Sequence, residues 1–163
     1  MVALLFPGQG SQFVGMGRDV AERFPAARAV FEEADAVLGT ALSRIAWEGP
    51  EEELTATHNA QPAILAHSIA VYRAVADALG PVAFAAGHSL GEFTAYVAAG
   101  SLELAAALRL VRRRGELMFR AGQERPGAMA AILGLEDEAV ERLCRAASDG
   151  QGVVVAANYN APG

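Results

Sequence analysis

Apolar positions along the chain follow two rhythms. Val2–Phe6, Val82–Ala86, Ala128–Leu133 and Val153–Ala157 are short continuous apolar runs bounded by turn residues, the pattern of strands, and the first reads as a buried one. Between them the apolar residues recur at helical spacing. Pro25 opens a helix to Leu38 with Val30, Phe31, Ala34, Val37 and Leu38 on one face and Gly39 as its stop. Trp47-Glu48-Gly49-Pro50 reads as a turn, followed by a short acidic helix. A longer helix begins near Pro62, carries Leu65, Ile69, Tyr72, Val75 and Leu79 on its apolar face, and ends at Gly80-Pro81. Glu92–Val97 is helical. Ser101 is a plausible N-cap for a long helix reaching Gly122. Gln123 to Gly127 reads as a linker, and Glu136–Ala147 as an amphipathic helix carrying Val140 and Leu143. Strands alternating with helices indicate an α/β fold.

The strand at Val82 runs into Gly87-His88-Ser89-Leu90-Gly91 and then directly into a helix. Strand, tight G-x-S-x-G turn and helix are the context of a nucleophile elbow, which exposes a serine hydroxyl at the carboxyl end of a strand. The glycines let strand and helix pass closely, and the first helical amides, starting with Leu90, point where a carbonyl oxygen would sit. The same pentapeptide also serves as a small-residue turn in which Ser89 caps the helix; the flanking elements favour the nucleophile. Pro7-Gly8-Gln9-Gly10-Ser11-Gln12 ends the first strand. Its glycines lack the G-x-G-x-x-G spacing of a dinucleotide loop. Amides freed by Gly8 and Gly10 could face an anion or oxyanion, and a flexible connector is an equal alternative.

Composition narrows the chemistry. The 163 residues suffice for one domain with a real core. Every basic residue is Arg, which excludes a Walker-A phosphate loop and a Schiff-base lysine. A net charge of −6 argues against non-specific nucleic-acid binding. The lone Cys144 permits no internal disulfide and suits a reducing cytoplasm. Met1–Phe6 has no basic region before it, and no apolar run is long enough for a membrane span, so neither a signal peptide nor a membrane association is expected.

The long helix carries three consecutive arginines that helical geometry separates. At about 100° per residue Arg109, Arg113, Glu116 and Arg120 share a polar face, with Arg112 at its edge and placed for an i,i+4 pair with Glu116. Arg112 and Arg113 read as a solvated face. Arg114 instead has Ala107, Leu110, Leu117 and Ala121 as neighbours, in the arc expected to face the core. A buried guanidinium requires an anion, and its fork suits a carboxylate. Geometry alone leaves a bound ligand and a structural salt bridge equally open.

Taken together, these motifs resemble the acyltransferase family that includes the malonyl-CoA:acyl-carrier-protein transacylases and the acyltransferase domains of polyketide and fatty-acid synthases. The likeness runs the length of the chain, through Phe6-Pro7-Gly8-Gln9-Gly10-Ser11-Gln12, Gln61-Pro62-Ala63, Gly87–Glu92, Arg114-Gly115 and Gly127–Ala131, to Asn158–Gly163. It implies a large α/β-hydrolase-like subdomain with a parallel sheet over residues 1–125, incomplete here, and the truncated start of a small ferredoxin-like subdomain over 126–163. It implies ping-pong transfer of malonyl from coenzyme A, through Ser89, to the phosphopantetheine thiol of an acyl carrier protein. The amides of Gln9 and Leu90 would hold the oxyanion, Arg114 would bind the malonyl carboxylate, and Gln61 and His88 would line the site, with Asn160 a weaker candidate. No metal is implied, and no cofactor beyond the coenzyme A thioester used as substrate.

The family's catalytic histidine lies beyond the matched stretch, in a protein about twice as long. His88 adjoins the nucleophile, where neighbouring side chains diverge; His58, in a loop or turn before a helix, and His67, on that helix, suit packing roles. The chain therefore reads as one segment of a longer polypeptide, without its base. Met1 directly before the first strand favours a stand-alone enzyme, which is then expected to be a monomer, in the cytoplasm that the lone cysteine suits, and Leu90 inside the elbow leans toward malonyl over branched units by resemblance. Two rivals remain: an esterase or thioesterase of the α/β-hydrolase type, disfavoured by Arg114 and by a loop unlike the glycine runs of lipases, and a non-catalytic carrier-protein docking fragment.

Overall fold

The computed structural model describes residues 1–148, 150 and 152–161. They fall into two compact units, Met1–Pro126 and a second from Gly127 onward. The first unit holds, in chain order, β1 (Val2–Phe6), α1 (Arg18–Arg23), α2 (Pro25–Leu38), α3 (Leu42–Glu48), α4 (Glu51–Thr55), α5 (Thr57–Leu79), β2 (Val82–Gly87), α6 (Gly91–Ala98) and α7 (Leu104–Glu124). The second holds α8 (Asp137–Ala147).

β1 and β2 pair in parallel, with Phe6 opposite Gly87 at their carboxyl ends. The fold is α/β with a parallel sheet and a strand–turn–helix elbow, in the manner of α/β hydrolases. The core lies among the helices, built by Val30, Phe31 and Ala34 of α2, Leu42 and Ile45 of α3, Ile64, Leu65 and Ile69 of α5, and Leu108 and Val111 of α7. β1 departs from the buried strand its sequence suggests: Phe6 is buried, but Leu5 is 80% exposed, as is 72% of Phe84 on β2. Among the described residues the sheet has two strands, so each keeps an unpaired edge and much of its apolar surface stays uncovered.

α5 begins at Thr57, five residues before Pro62, so the proline lies inside the helix. It has no N–H to give the carbonyl of His58, four residues back. Arg112 on α7 supplies the missing donor: its Nη1 reaches the His58 carbonyl at 3.1 Å and Asn59 Oδ1 at 2.6 Å, while Nε pairs with Glu116 at 3.4 Å. The expected i,i+4 pair forms, but Arg112 is a helix-to-helix brace rather than part of a solvated face. Gly115 lies one turn on. A Cβ there would sit 2.6 Å from the His58 Cα and 2.7 Å from the Thr57 carbonyl oxygen. Only glycine lets the two backbones approach this closely.

α7 starts at Leu104, with Glu103 before it, and not at a Ser101 cap. The amides of Ser101 and Leu102 instead bond the Tyr96 carbonyl, so these residues close the end of α6. α1 and α3 are short helices not foreseen in the sequence; α3 takes in Trp47 and Glu48, and the turn shrinks to Gly49-Pro50. In the second unit, the strands expected over 128–133 and 153–157 are absent: neither run has a strand partner among the described residues. Met129, Leu133 and Val153 are exposed. The Val154 amide bonds the Ser148 hydroxyl at 3.0 Å where a ladder bond would otherwise be. Pro162 and Gly163, the end of the last motif, lie outside the described residues.

Candidate active site

Ser89 is the one non-glycine residue with positive φ among the described residues, at 54°. An L-residue enters this left-handed region only under constraint. The constraint is visible on both sides. His88 donates its amide to the Phe6 carbonyl at 3.0 Å, continuing the β1–β2 ladder into the turn. Gly91 and Glu92 then donate to the carbonyls of His88 and Ser89 at 2.8 and 3.2 Å, starting α6. A Cβ at Gly87 would overlap the Gly91 carbonyl, and one at Gly91 would strike the Phe6 carbonyl oxygen and lie 2.8 Å from that of Pro7. The two glycines are thus required by close approach, and this tight turn raises a hydroxyl at the carboxyl end of the sheet.

The Ser89 hydroxyl meets a guanidinium. Arg114 Nη2 donates to Ser89 Oγ at 2.8 Å and Nη1 to Gln61 Oε1 at 2.7 Å. Gln61 is fully buried, and its Nε2 points to Met118 Sδ at 3.3 Å. Arg114 is half-buried rather than enclosed, because Leu110 and Leu117 beside it on α7 are about half exposed. The arc expected to be core is therefore the open wall of a site. Among the described residues no carboxylate pairs with Arg114; Glu116 is engaged by Arg112 and Arg113. The structural salt bridge left open by the helix geometry does not form there. A hydroxyl that accepts from a guanidinium keeps its own hydrogen to give away, and the adjacent positive charge favours the alkoxide.

The loop after β1 lies alongside. A Cβ on Gly8 would come within 2.7 Å of His88 Nδ1, so the loop backbone passes against that imidazole. Gln9 Nε2 donates to Thr57 Oγ1 at 3.2 Å, tying the loop to the first turn of α5. The Gly10 amide is occupied by Gln12 Oε1 at 2.8 Å, and Ser11 Oγ donates to the Gly8 carbonyl at 2.9 Å. Gly10 therefore does not offer the free amide suggested by its sequence. The Leu90 side chain is fully buried, anchoring the residue whose amide follows the nucleophile.

Ser89, Arg114 and Gln61 are thus joined directly, and Gln9 and His88 sit on the adjoining loop and turn. His58 is on α5 and not before it, with its ring edge-on to Phe119 at 5.4 Å. His67 lines a cavity of about 570 Å³ with Phe13, Gly17, Arg18, Asp19 and Glu22. Burial holds the His67 pKa below its ordinary value, partly opposed by Asp19. Sequence reasoning missed Thr57, Met118 and the brace of Arg112 on Asn59. Helical spacing carried the signal for two of them: Thr57 is four residues before Gln61, and Met118 four after Arg114. Among the described residues no group of His, Cys, Asp and Glu could hold a metal ion. No helix there is long and apolar enough to cross a membrane.

Known proteins match this chain along nearly its whole length. The sequence model of the acyl transferase domain matches residues 3–163. The malonyl CoA-acyl carrier protein transacylase of Bacillus subtilis (strain 168) is 49% identical over 162 residues, which are 99% of this chain and 51% of the relative. That of Escherichia coli (strain K12) is 48% identical, over 99% of this chain and 52% of its own length. Among solved structures, FabD from Acinetobacter baumannii superposes with a TM-score of 0.89 at 51% identity, covering 99% of this chain and 51% of that one. A malonyl-transacylase solved in complex with a type II PKS acyl-carrier protein gives 0.87 at 43% identity, over 99% and 52%. The chain spans about half the length of these relatives. With a serine raised on a strained elbow beside an unneutralised arginine, and a family match over nearly every residue, the chain belongs to the acyl transferase domain family.

Proposed function

We propose that this chain carries the nucleophile and the carboxylate-recognition half of a malonyltransferase, which moves malonyl from coenzyme A to the thiol of an acyl carrier protein through an ester on Ser89. The observation that carries the reading is the 2.8 Å contact between Arg114 Nη2 and Ser89 Oγ. An acyl group on that oxygen, with a carboxylate one methylene beyond its carbonyl, brings the carboxylate to the guanidinium without a movement of α7. A simple acetyl ester leaves the charge unpaired, which disfavours it. Family likeness adds the rest: the substrates named for the relatives, and the amides of Gln9 and Leu90 as the oxyanion site.

The chemistry balances in two half-reactions. Ser89 Oγ attacks the thioester carbonyl, the C–S bond breaks, and the hydroxyl proton ends on the released coenzyme A thiol. The carrier thiol then attacks the seryl ester carbonyl, the C–Oγ bond breaks, and the thiol proton returns to Ser89 Oγ. The base that relays the proton is a histidine that the family resemblance puts beyond residue 163.

Intact-mass measurement tests the reading on the full natural polypeptide. Exposure to malonyl-CoA is expected to add one malonyl group at Ser89, lost in Ser89→Ala and passed on to carrier protein. Arg114→Met should lower malonylation by about a hundredfold and acetylation from acetyl-CoA by much less. Release of free malonate in place of transfer would instead identify a thioesterase and overturn the proposal.

A further inference from the structure

We infer that Gln61 is a positioning residue whose neutrality is its function: it holds Arg114 by a strong hydrogen bond while leaving the guanidinium charge unspent for the substrate. The inference rests on the malonyl reading above, and changes the role of Gln61 from substrate ligand to keeper of the ligand. Both ends of its amide are committed. Oε1 accepts from Arg114 Nη1 at 2.7 Å, and Nε2 faces Met118 Sδ at 3.3 Å. The residue is completely buried, so its amide is held within the fold and turned toward α7.

An acceptor at this point could have been a glutamate of the same length. A carboxylate would bind Arg114 more tightly, but it would also neutralise it. A second carboxylate arriving from substrate would then meet a pair of net zero charge and a like charge beside it. An amide oxygen avoids both. It fixes one arm of the fork and leaves the other, Nη2, at the nucleophile. The surroundings are consistent: Glu116, one turn from Arg112 and two residues from Arg114, is drawn off by Arg112 and Arg113 at 3.4 and 3.3 Å. The acid nearest Arg114 in sequence is thereby engaged elsewhere, and the amide that fixes Arg114 carries no charge.

The test compares Gln61→Glu and Gln61→Met with wild type in the full natural polypeptide, measuring kcat and KM for malonyl-CoA and acetyl-CoA separately. For Gln61→Glu, malonyl kcat/KM is expected to fall about a hundredfold, chiefly through KM, and acetyl kcat/KM by much less, so that the malonyl-to-acetyl ratio drops. For Gln61→Met, which keeps the charge but frees the arm, malonyl kcat/KM should fall about tenfold, chiefly through kcat, and acetyl kcat/KM by less, so that the ratio again drops. A malonyl-to-acetyl ratio left at the wild-type value by Gln61→Glu overturns the inference while the malonyl reading stands. Should Gln61→Glu not fold, an unchanged ratio in Gln61→Met overturns it equally. A wild-type protein without malonyl transfer removes both.

Discussion

A methyl group at residue 115 should disable the site from one residue away without touching it. Gly115→Ala places a Cβ 2.6 Å from the His58 Cα and 2.7 Å from the Thr57 carbonyl oxygen, where ordinary contact begins at 3.4 Å. Both obstacles are backbone of the first turn of α5, so no side chain can swing aside. The helices must part by about 0.8 Å, and overpacking of this kind costs about 1–3 kcal/mol. The displacement falls on the neighbouring Arg114, whose bonds to Gln61 and Ser89 are 2.7 and 2.8 Å long and would stretch past useful range. An error approaching 1 Å in a positioning group costs on the order of a hundredfold in rate. Stability by urea denaturation and the rate of Ser89 malonylation by rapid-quench mass spectrometry should fall together, with acetylation less affected. A Gly115→Ala protein of wild-type stability and wild-type malonylation would refute the close crossing of α5 and α7, and with it the account of how Arg114 is aimed.

Other outcomes can be stated from the same geometry. Ser89→Gly should be more stable than Ser89→Ala by about 1 kcal/mol, since both lack the hydroxyl but only glycine relaxes the positive φ; thermal melts of the two variants compare them directly. Arg112→Met should destabilise by about 1.5–3 kcal/mol by stripping the donors from the His58 carbonyl and Asn59, and adding Pro62→Ala, which restores the N–H owed to His58, should recover part of that loss in denaturant titrations. Burial lowers the His67 pKa, with Asp19 opposing and Arg18 and Glu22 lining the same cavity. Its folded pKa lies below the unfolded 6.5, so the unfolded chain takes up the proton first and stability falls as pH drops below about 6.5. His67→Gln should flatten that part of the pH–stability curve; an identical slope in the variant would rule out this residue as its source.

The elbow was legible because its signal is local: two glycines, a serine, an apolar run before and a helix after suffice to specify a turn. Arg114 stood out for the same reason, as a charge at the wrong angle of a helix whose period is fixed. What the periodicity could not reveal was that its arc is only half enclosed, because exposure of Leu110 and Leu117 depends on what packs opposite. Pro62 misled in an instructive way. It is a legitimate start signal, but Arg112 lies fifty residues downstream and supplies the bond the proline removes, so the helix continues backward to Thr57. Ser101 is a good cap by type, yet it closes the end of α6 and the next helix begins only at Leu104. The strands expected near 130 and 155 failed because an apolar run specifies a strand only where another backbone lies alongside, and none does among the described residues.

The pairing of β1 with β2 has one irregularity, between Val2 and Ala3, at the end remote from Ser89; from Ala3 to Phe6 the partners advance one for one to Gly87. Slack in this sheet is therefore segregated. Changes in strand length near Val2 can be taken up where the ladder already slips, whereas a residue gained or lost between Phe84 and Gly87 would invert the pleat beneath the elbow and carry the hydroxyl away from the loop of Gln9. Evolution and protein engineering alike are free to edit these two strands where they begin, and are held to a fixed count of residues where they end.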